Sequence, residues 1–357
     1  MVDVRKGMPP VELDEAEFKR RYLSRFYDPA FEPLTVELEK IVDAAWDAYS
    51  HGRKAPRTVK AGPRFADPDY DISIEWLDAQ AAIQDAQRRF EDPAAPSRIL
   101  LINGSTRSEH TCPGEMSKTW RLLEIADEIF RAAPGFECDI LDLSVLASEF
   151  NRVIYPCKSC VSTAMPLCHW PCSCYPNHGL QQNNDWMNEI YPRWVAAHGI
   201  MIVAPVNWYQ VSSAFKLMMD RLVCADGGNP DPTSTQGKDA KKAKEIELAG
   251  WPYPRHLAGR TFGVFAHGDS AGADTLRRIL NDWLEDMGLI AAGHLAVIDR
   301  YIGYLAPYAT SHDDLDKETA TQEDVRNVAR ALVQAVKQLR SGALKPPDRH
   351  VKEPRPK

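Results

Sequence analysis

Five short apolar runs, each too long to alternate and too short for a buried helix, punctuate the chain after residue 97. They are RILLING (Arg98–Gly104), CDILDL (Cys138–Leu143), GIMIVAP (Gly199–Pro205), RTFGVFAHG (Arg260–Gly268) and AAGHLAVI (Ala291–Ile298). Between them the period changes to that of a helix, over about Glu115–Ala132, Asp185–Ala197, Ser213–Leu222 and Ala273–Gly288. A last stripe of Val325, Val328, Leu332, Val336 and Leu339 ends before Gly342. Unbroken apolar strands alternating with helices predict an α/β protein. Its parallel sheet is covered on both faces and doubly wound.

The first 95 residues lack this rhythm. Leu38, Ile41, Val42, Ala45, Trp46 and Tyr49 mark one amphipathic helix, and a second is expected over about Glu75–Phe90. The stretch His51–Tyr70 reads as an extended arm, and EDPAAPS (Glu91–Ser97) as a linker. The expected division is an N-terminal arm (1–95) contributing to subunit contact, a main domain (96–342) and a flexible tail (343–357). Cys224–Leu257 is an insertion in the main domain, a lid, an interface element or ornament.

A formal charge of −7 speaks against nucleic acid as a partner, and no apolar run is long enough to span a bilayer. The charged segment Met1–Phe26 has no apolar signal core, so a cytoplasmic location is expected, where a cysteine cluster suggests metal or redox chemistry.

In an open α/β sheet, ligands lie beyond the carboxyl ends of the strands. Three loops belong there. NGSTRSEHTCPGEMSKT (Asn103–Thr119) offers Ser105, Thr106, Arg107, Ser117, Lys118 and Thr119 around a helix start, a set suited to one phosphate. APVNWYQVSSAFKLMMDRL (Ala204–Leu222) places Pro205, Val206, Asn207, Trp208 and Tyr209 at the strand end, suited to a flat heteroaromatic ring. HGDSAGADT (His267–Thr275) adds His267, Gly268 and Asp269.

INGSTR with SKT resembles the phosphate loop of the NADPH-dependent FMN reductase family, and the Ala204–Leu222 segment is similar to that family's second flavin motif. The resemblance covers roughly residues 98–300, with a longer phosphate loop and a longer insertion than is usual. It implies a flavodoxin-like sheet of five parallel strands in the order 2-1-3-4-5. It further implies FMN held through Ser105, Arg107, Lys118 and Thr119. Pro205–Tyr209 would flank the ring on one edge and His267–Asp269 on the other. NAD(P)H as co-substrate would reduce the flavin, which would pass electrons to a small acceptor: a quinone, a nitro or azo compound, a free flavin or a metal ion. Backbone amides of the second and third loops are candidates to face the charge on reduced flavin. No side chain is assigned as acid, base or nucleophile. Trp170, Trp208 and Tyr209 are candidates for an acceptor pocket and equally for core. A homodimer or homotetramer is expected.

YPCKSCVSTAMPLCHWPCSCYPNHG (Tyr155–Gly179) holds Cys157, Cys160, Cys168, Cys172 and Cys174. Four prolines forbid a regular helix there. Three readings stand: a metal site, a reactive dithiol, or cysteines buried in a packed loop. The metal would be zinc, with His169 and His178 completing the ligands, or a [4Fe–4S] cluster like that of iron–sulfur flavoproteins. The pair Cys157–Cys160 agrees with that cluster motif and the later spacing departs from it. Cys138 and Cys224 read as core or loop residues, and Cys112 lies within the phosphate loop.

Two alternatives follow from other features. The acidic composition and the cysteines suit an electron-transfer or redox-sensing protein without small-molecule turnover. Gly268-Asp269-Ser270-Ala271-Gly272 fits GxSxG, so a hydrolase with Ser270 as nucleophile is the remote alternative, with only His294, His312 and His350 following it.

Overall fold

A computed structural model of the chain describes residues 2–111, 114–268, 271–303 and 307–344. The chain forms two compact units. The first joins residues 1–80, 158–185 and 228–252, and the second comprises 81–157, 186–227 and 253–357. The first 80 residues therefore share a unit with most of the cysteine stretch and most of the insertion, a pairing that no local pattern announces.

In the first unit, helices Glu15–Leu23 and Thr35–Ser50 pack through Phe18, Val42 and Ala45, with Tyr22, Trp46 and Tyr49 around them. The expected extended arm closes as a short antiparallel ladder, β1 (Thr58–Lys60) on β2 (Asp71–Ser73). Two strands of three residues are too short to show a period. Phe65, Ile72 and Trp76 fill a small core beside them, and Trp76 Nε1 donates to the Pro171 carbonyl at 2.9 Å. The insertion is stitched in by its backbone: Ala66 N–H donates to Asp231 at 2.7 Å, and Asn229 N–H to the Cys168 carbonyl at 2.7 Å. Its helix, Ala240–Leu248, buries Ala243 against Ala164 and Leu167.

The second unit is a flavodoxin-like α/β domain. Its strands are β3 (Ser97–Asn103), β4 (Phe136–Asp142), β5 (Gly199–Pro205), β6 (Thr261–Gly268), β7 (Ile290–Ala291) and β8 (Val297–Tyr301). The order is β4-β3-β5-β6, with β7 and β8 both parallel to β6. The fifth expected strand is thus two: Gly293, at φ 104°, and the single turn His294–Ala296 lift the chain off the ladder between them. Alternation on each strand sends Ile99, Leu101, Met201, Val203 and Phe265 to a core shared with Leu122, Phe130, Val328, Leu332 and Val336, on helices Lys118–Ala132 and Thr319–Arg340. Leu100, Ile102, Ile200, Ile202 and Val264 point the other way and are also fully buried, so both faces are covered. Helices Met187–Ala196, Ser213–Arg221 and Ala273–Asp286 meet through Trp194, Phe215 and Trp283, the last touching the other two edge to face.

At the opposite end of the sheet from the strands' carboxyl termini, His198 accepts the Arg98 N–H at Nδ1 (3.0 Å) and donates from Nε2 to the Phe90 carbonyl (3.1 Å). Only the neutral ring can do both. Burial first, and then the Arg340 cation, lower its pKa to about 4. Its unfolded value lies near 6.5, so the unfolded chain binds the extra proton between these limits. The His198 contribution is therefore complete above pH 6.5 and is lost as the pH falls towards 4. The difference in urea-unfolding free energy between the native chain and His198→Asn should shrink by on the order of 2–3 kcal/mol between pH 7 and pH 4. Parallel pH profiles for the two proteins would refute it.

Candidate functional site

The carboxyl ends of β3, β5 and β6 converge because a glycine lets them. A Cβ on Gly104 would stand 2.9 Å from Ala204 Cβ and 3.1 Å from the Val203 carbonyl. Its N–H instead donates to that carbonyl at 2.8 Å. Ser212 caps helix Ser213–Arg221, accepting from Phe215 N–H, and its hydroxyl donates to the Gly104 carbonyl at 2.6 Å. The first and second loops are thus tied to each other through one residue.

The phosphate loop satisfies most of its own groups. Asn103 donates to Asp142 at 2.7 Å and accepts Ser105 N–H at 3.1 Å. Ser105 Oγ accepts Arg107 N–H at 3.1 Å, and Ser117 Oγ accepts Trp120 N–H at 3.0 Å as the cap of Lys118–Ala132. Both hydroxyls keep their hydrogens to donate. Among the described residues, neither the N–H nor the hydroxyl of Thr106 meets a partner, and neither does the N–H of Thr119, at the first turn of that helix. Arg107 bonds Glu115 through its terminal nitrogen at 2.6 Å, while its buried Nε meets no partner among the described residues. These groups belong to the loop after β3 and to the first turn of the helix that follows it, and a helix start with open N–H groups is a place where an anion can bind. Lys118 begins that helix and is half-buried.

Thr119 is turned elsewhere than expected. Its Oγ1 pairs with His267 Nε2 at 2.9 Å, both residues being buried, so its side chain braces the helix start against the end of β6. Glu115 and His312 were not anticipated. Glu115 sits 3.3 Å from His312 Nδ1, and His312 Nε2 donates to the Met116 carbonyl at 2.7 Å. His312 lies almost two hundred residues from the loop, and nothing in the local sequence announces that it meets Met116.

The second loop is a tight turn. Asn207 N–H donates to the Gln210 carbonyl at 2.8 Å and Gln210 N–H returns at 3.0 Å. The two central residues, Trp208 (φ 47°) and Tyr209 (φ 66°), both lie in the left-handed region, as a type I′ turn requires. Asn or Gly is the usual occupant, so two aromatics here are strained by about 1 kcal/mol or more each. Their rings are 94% and 60% exposed, which removes them from the core. Val206 N–H is spent on the His267 carbonyl at 2.8 Å and Asn207 N–H on Gln210. Among the described residues the N–H groups of Trp208 and Tyr209 meet no partner, so the available amides are these two. The third loop arrives through Gly272, at φ 111°, where a Cβ would stand 2.9 Å from the Tyr209 ring. Gly268 continues the sheet by accepting Ile302 N–H at 2.8 Å. Asp269, Ser270 and Cys112 lie outside the described residues.

The cysteine stretch from Lys158 onward belongs to the first unit. His169 is fully buried, with Nδ1 on Ser173 and Nε2 on Thr235 at 2.8 Å, and burial holds its pKa well below the usual value. His178 pairs with Glu75 at 3.0 Å. Both ring nitrogens of His169 are thus taken by protein groups, whereas the Glu75 contact of His178 involves Nε2 alone. Trp170 is buried, as its core reading had it. Among the described residues no group of three or more His, Cys, Asp or Glu is arranged to hold a metal ion. Cys160 and Cys174 do approach, sulfur to sulfur at 3.4 Å. Contact with Cys174, ahead of the Lys238 cation, lowers the Cys160 pKa to about 6 against the effect of burial. Cys138 differs: burial pushes its thiol up. Cys224 is buried, its Sγ on the Arg221 carbonyl at 3.2 Å. No helix among the described residues is long and apolar enough to cross a membrane.

A family model described as NADPH-dependent FMN reductase matches residues 97–299, more than half of the chain. A search of curated proteins finds no match. Solved structures similar to the chain include RosB with bound 8-demethyl-8-formylriboflavin-5'-phosphate (14% identity, 70% of this chain and 82% of that one, TM-score 0.47). Others are an azoreductase from Bacillus anthracis str. Sterne (11%, 65% and 98%, TM-score 0.37) and an NADH:FMN oxidoreductase, EmoB, in apo form (15%, 70% and 92%, TM-score 0.35).

The strained turn makes its own prediction. Trp208 buries almost nothing, so Trp208→Asn should leave unfolding free energy unchanged or raise it by up to about 1 kcal/mol, whereas β-branched Trp208→Val should lower it by a similar amount. Equal urea midpoints for the two variants would contradict the left-handed assignment.

Proposed function

The chain belongs to the NADPH-dependent FMN reductase family, and on that footing we propose that it uses NAD(P)H to reduce a small acceptor, a quinone, nitro or azo compound, free flavin or metal ion. It is an FMN-dependent oxidoreductase; bound FMN supplies the two-electron chemistry, and the chain binds and orients the reactants.

The observation that supports the site assignment is a pair of backbone amides without a partner among the described residues, Thr106 in the loop after β3 and Thr119 in the first turn of the helix that Ser117 caps. Thr106, Ser105, Ser117 and Lys118 would hold the phosphate, with Arg107 Nε as a further donor. The Thr119 amide would join them, while its hydroxyl, paired with His267, would brace the helix start. Pro205–Tyr209 would lie along the ring, and His267 and Gly268 along its far edge. The N–H groups of Trp208 and Tyr209 would face the edge where reduced flavin carries negative charge, so the amides fixed by the turn do the stabilising. The exposed rings of Trp208 and Tyr209 would form the wall of the acceptor pocket. A homodimer or homotetramer belongs to the same proposal.

The test is a fluorescence titration of flavin-free protein with FMN and with riboflavin, followed by NADPH oxidation with a quinone. FMN should bind more tightly than riboflavin, and Lys118→Ala should weaken FMN about tenfold while leaving riboflavin unchanged. Glu115 lies at the surface beside Arg107, so Glu115→Gln should strengthen FMN binding by up to about fivefold, the scale of an exposed charge pair. Equal affinity for the two flavins in the native chain would remove the phosphate cradle.

A further inference from the structure

The first unit holds a group of reactive side chains for which the flavin site has no use. Cys160 opens a single turn, Cys160–Ser162, immediately after Ser159, whose backbone sits in the left-handed region at φ 50°. Cys174 lies fourteen residues further on and is buried. Their sulfurs are 3.4 Å apart, so a shift of little more than 1 Å brings them to bonding distance.

Two lysines converge on the pair. Lys238 Nζ lies 3.6 Å from Cys160 Sγ and donates to the Leu167 carbonyl at 2.7 Å. Lys54 donates to the Ser173 carbonyl, next to Cys174. Burial acts first on both ammonium groups, and among the charges that act on them next Cys174 is foremost for each. Half-buried cations beside thiols favour sulfur in its anionic, nucleophilic form. A cavity of about 350 Å³, lined by Lys54, Lys158, Cys160, Thr163, Cys174 and Lys238, gives small molecules access to both sulfurs.

We propose that Cys160 and Cys174 are a two-electron redox pair, oxidised to a disulfide by a hydroperoxide and returned to the dithiol by a small thiol. The Cys160 thiolate attacks the distal peroxide oxygen. The O–O bond breaks, and the departing alkoxide takes the proton that the thiol released. Cys160 is then a sulfenic acid. Cys174 sulfur attacks it, the S–O bond breaks, and the hydroxide leaves as water with the Cys174 proton. In sum, two thiols and one hydroperoxide give one disulfide, one alcohol and one water. Two equivalents of a small thiol reverse the change through a mixed disulfide and leave as their own disulfide. Lys238 serves as the positioning cation for the attacking sulfur.

The experiment uses the full chain, purified reduced, treated with a slight excess of hydrogen peroxide, then alkylated, digested and analysed by mass spectrometry. The expected product is a disulfide joining Cys160 to Cys174 within the peptide that carries both, two hydrogens lighter than the reduced form, and absent after dithiothreitol. Cys174→Ser should instead accumulate a sulfenic acid at Cys160 that dimedone traps, and Lys238→Met should slow cross-linking at least severalfold with unchanged far-ultraviolet circular dichroism. Metal analysis runs alongside. Both thiols alkylating as fast after peroxide as before would overturn the proposal, as would cross-links to other cysteines in place of this pair. So would stoichiometric iron or zinc that shields both thiols until a chelator removes it.

Discussion

The close approach of backbone at Gly104 is the constraint on which the ligand end of the second unit rests. No side chain fits between the residue after β3 and the Val203–Ala204 step of β5. Because that space is empty, the Gly104 N–H extends the ladder by one bond and its carbonyl receives the Ser212 hydroxyl. The helix after β5 is thereby started at a fixed height relative to the loop after β3. Thr119 and His267 do the same for β6 and the helix after β3. The strand ends are cross-braced by short bonds among buried groups, and the proposed cradle is made of the polar groups that this bracing leaves over.

Much of this was legible in the sequence, and the reasons are physical. A central strand buried on both faces must be apolar throughout, so β3, β5 and β6 declared themselves within a residue of their observed ends. The stripe from Val325 to Leu339 could belong only to a helix with one covered face, and it does. The short fifth run was ambiguous in extent because Gly293 splits it, and a glycine in an apolar run signals an interruption without saying of which kind. The pairing of the first 80 residues with two distant segments left no trace, since it depends on single bonds such as Trp76 to Pro171 rather than on a period.

The site was legible in outline only. Residue types at a strand end show that an anion can be received; they do not show which amides are already spent. Val206 and Asn207 looked as suitable as Trp208 and Tyr209 until the turn consumed the first two. Thr119 looked like a phosphate contact because of its place in the motif, yet its hydroxyl points at His267. The cysteines were the reverse case: their number drew attention, and spacing could not select among five sulfurs the two that approach. Long-range partners such as Glu115 with His312 or Lys238 with Cys160 are decided by topology, and topology is not local.

The division of the chain carries a consequence for biosynthesis. The backbone passes between the two units five times, and the first unit takes its last segment from residues 228–252. Its opening 80 residues emerge from the ribosome long before those partners exist. At ordinary translation speeds of about 5–20 residues per second, the interval is roughly ten to thirty seconds. During that time Phe65, Ile72 and Trp76 have only near neighbours such as Ala61, Tyr70 and Leu77 for cover. Chaperones bind such exposed apolar segments, so the opening 80 residues of this polypeptide are where cellular folding assistance would be concentrated.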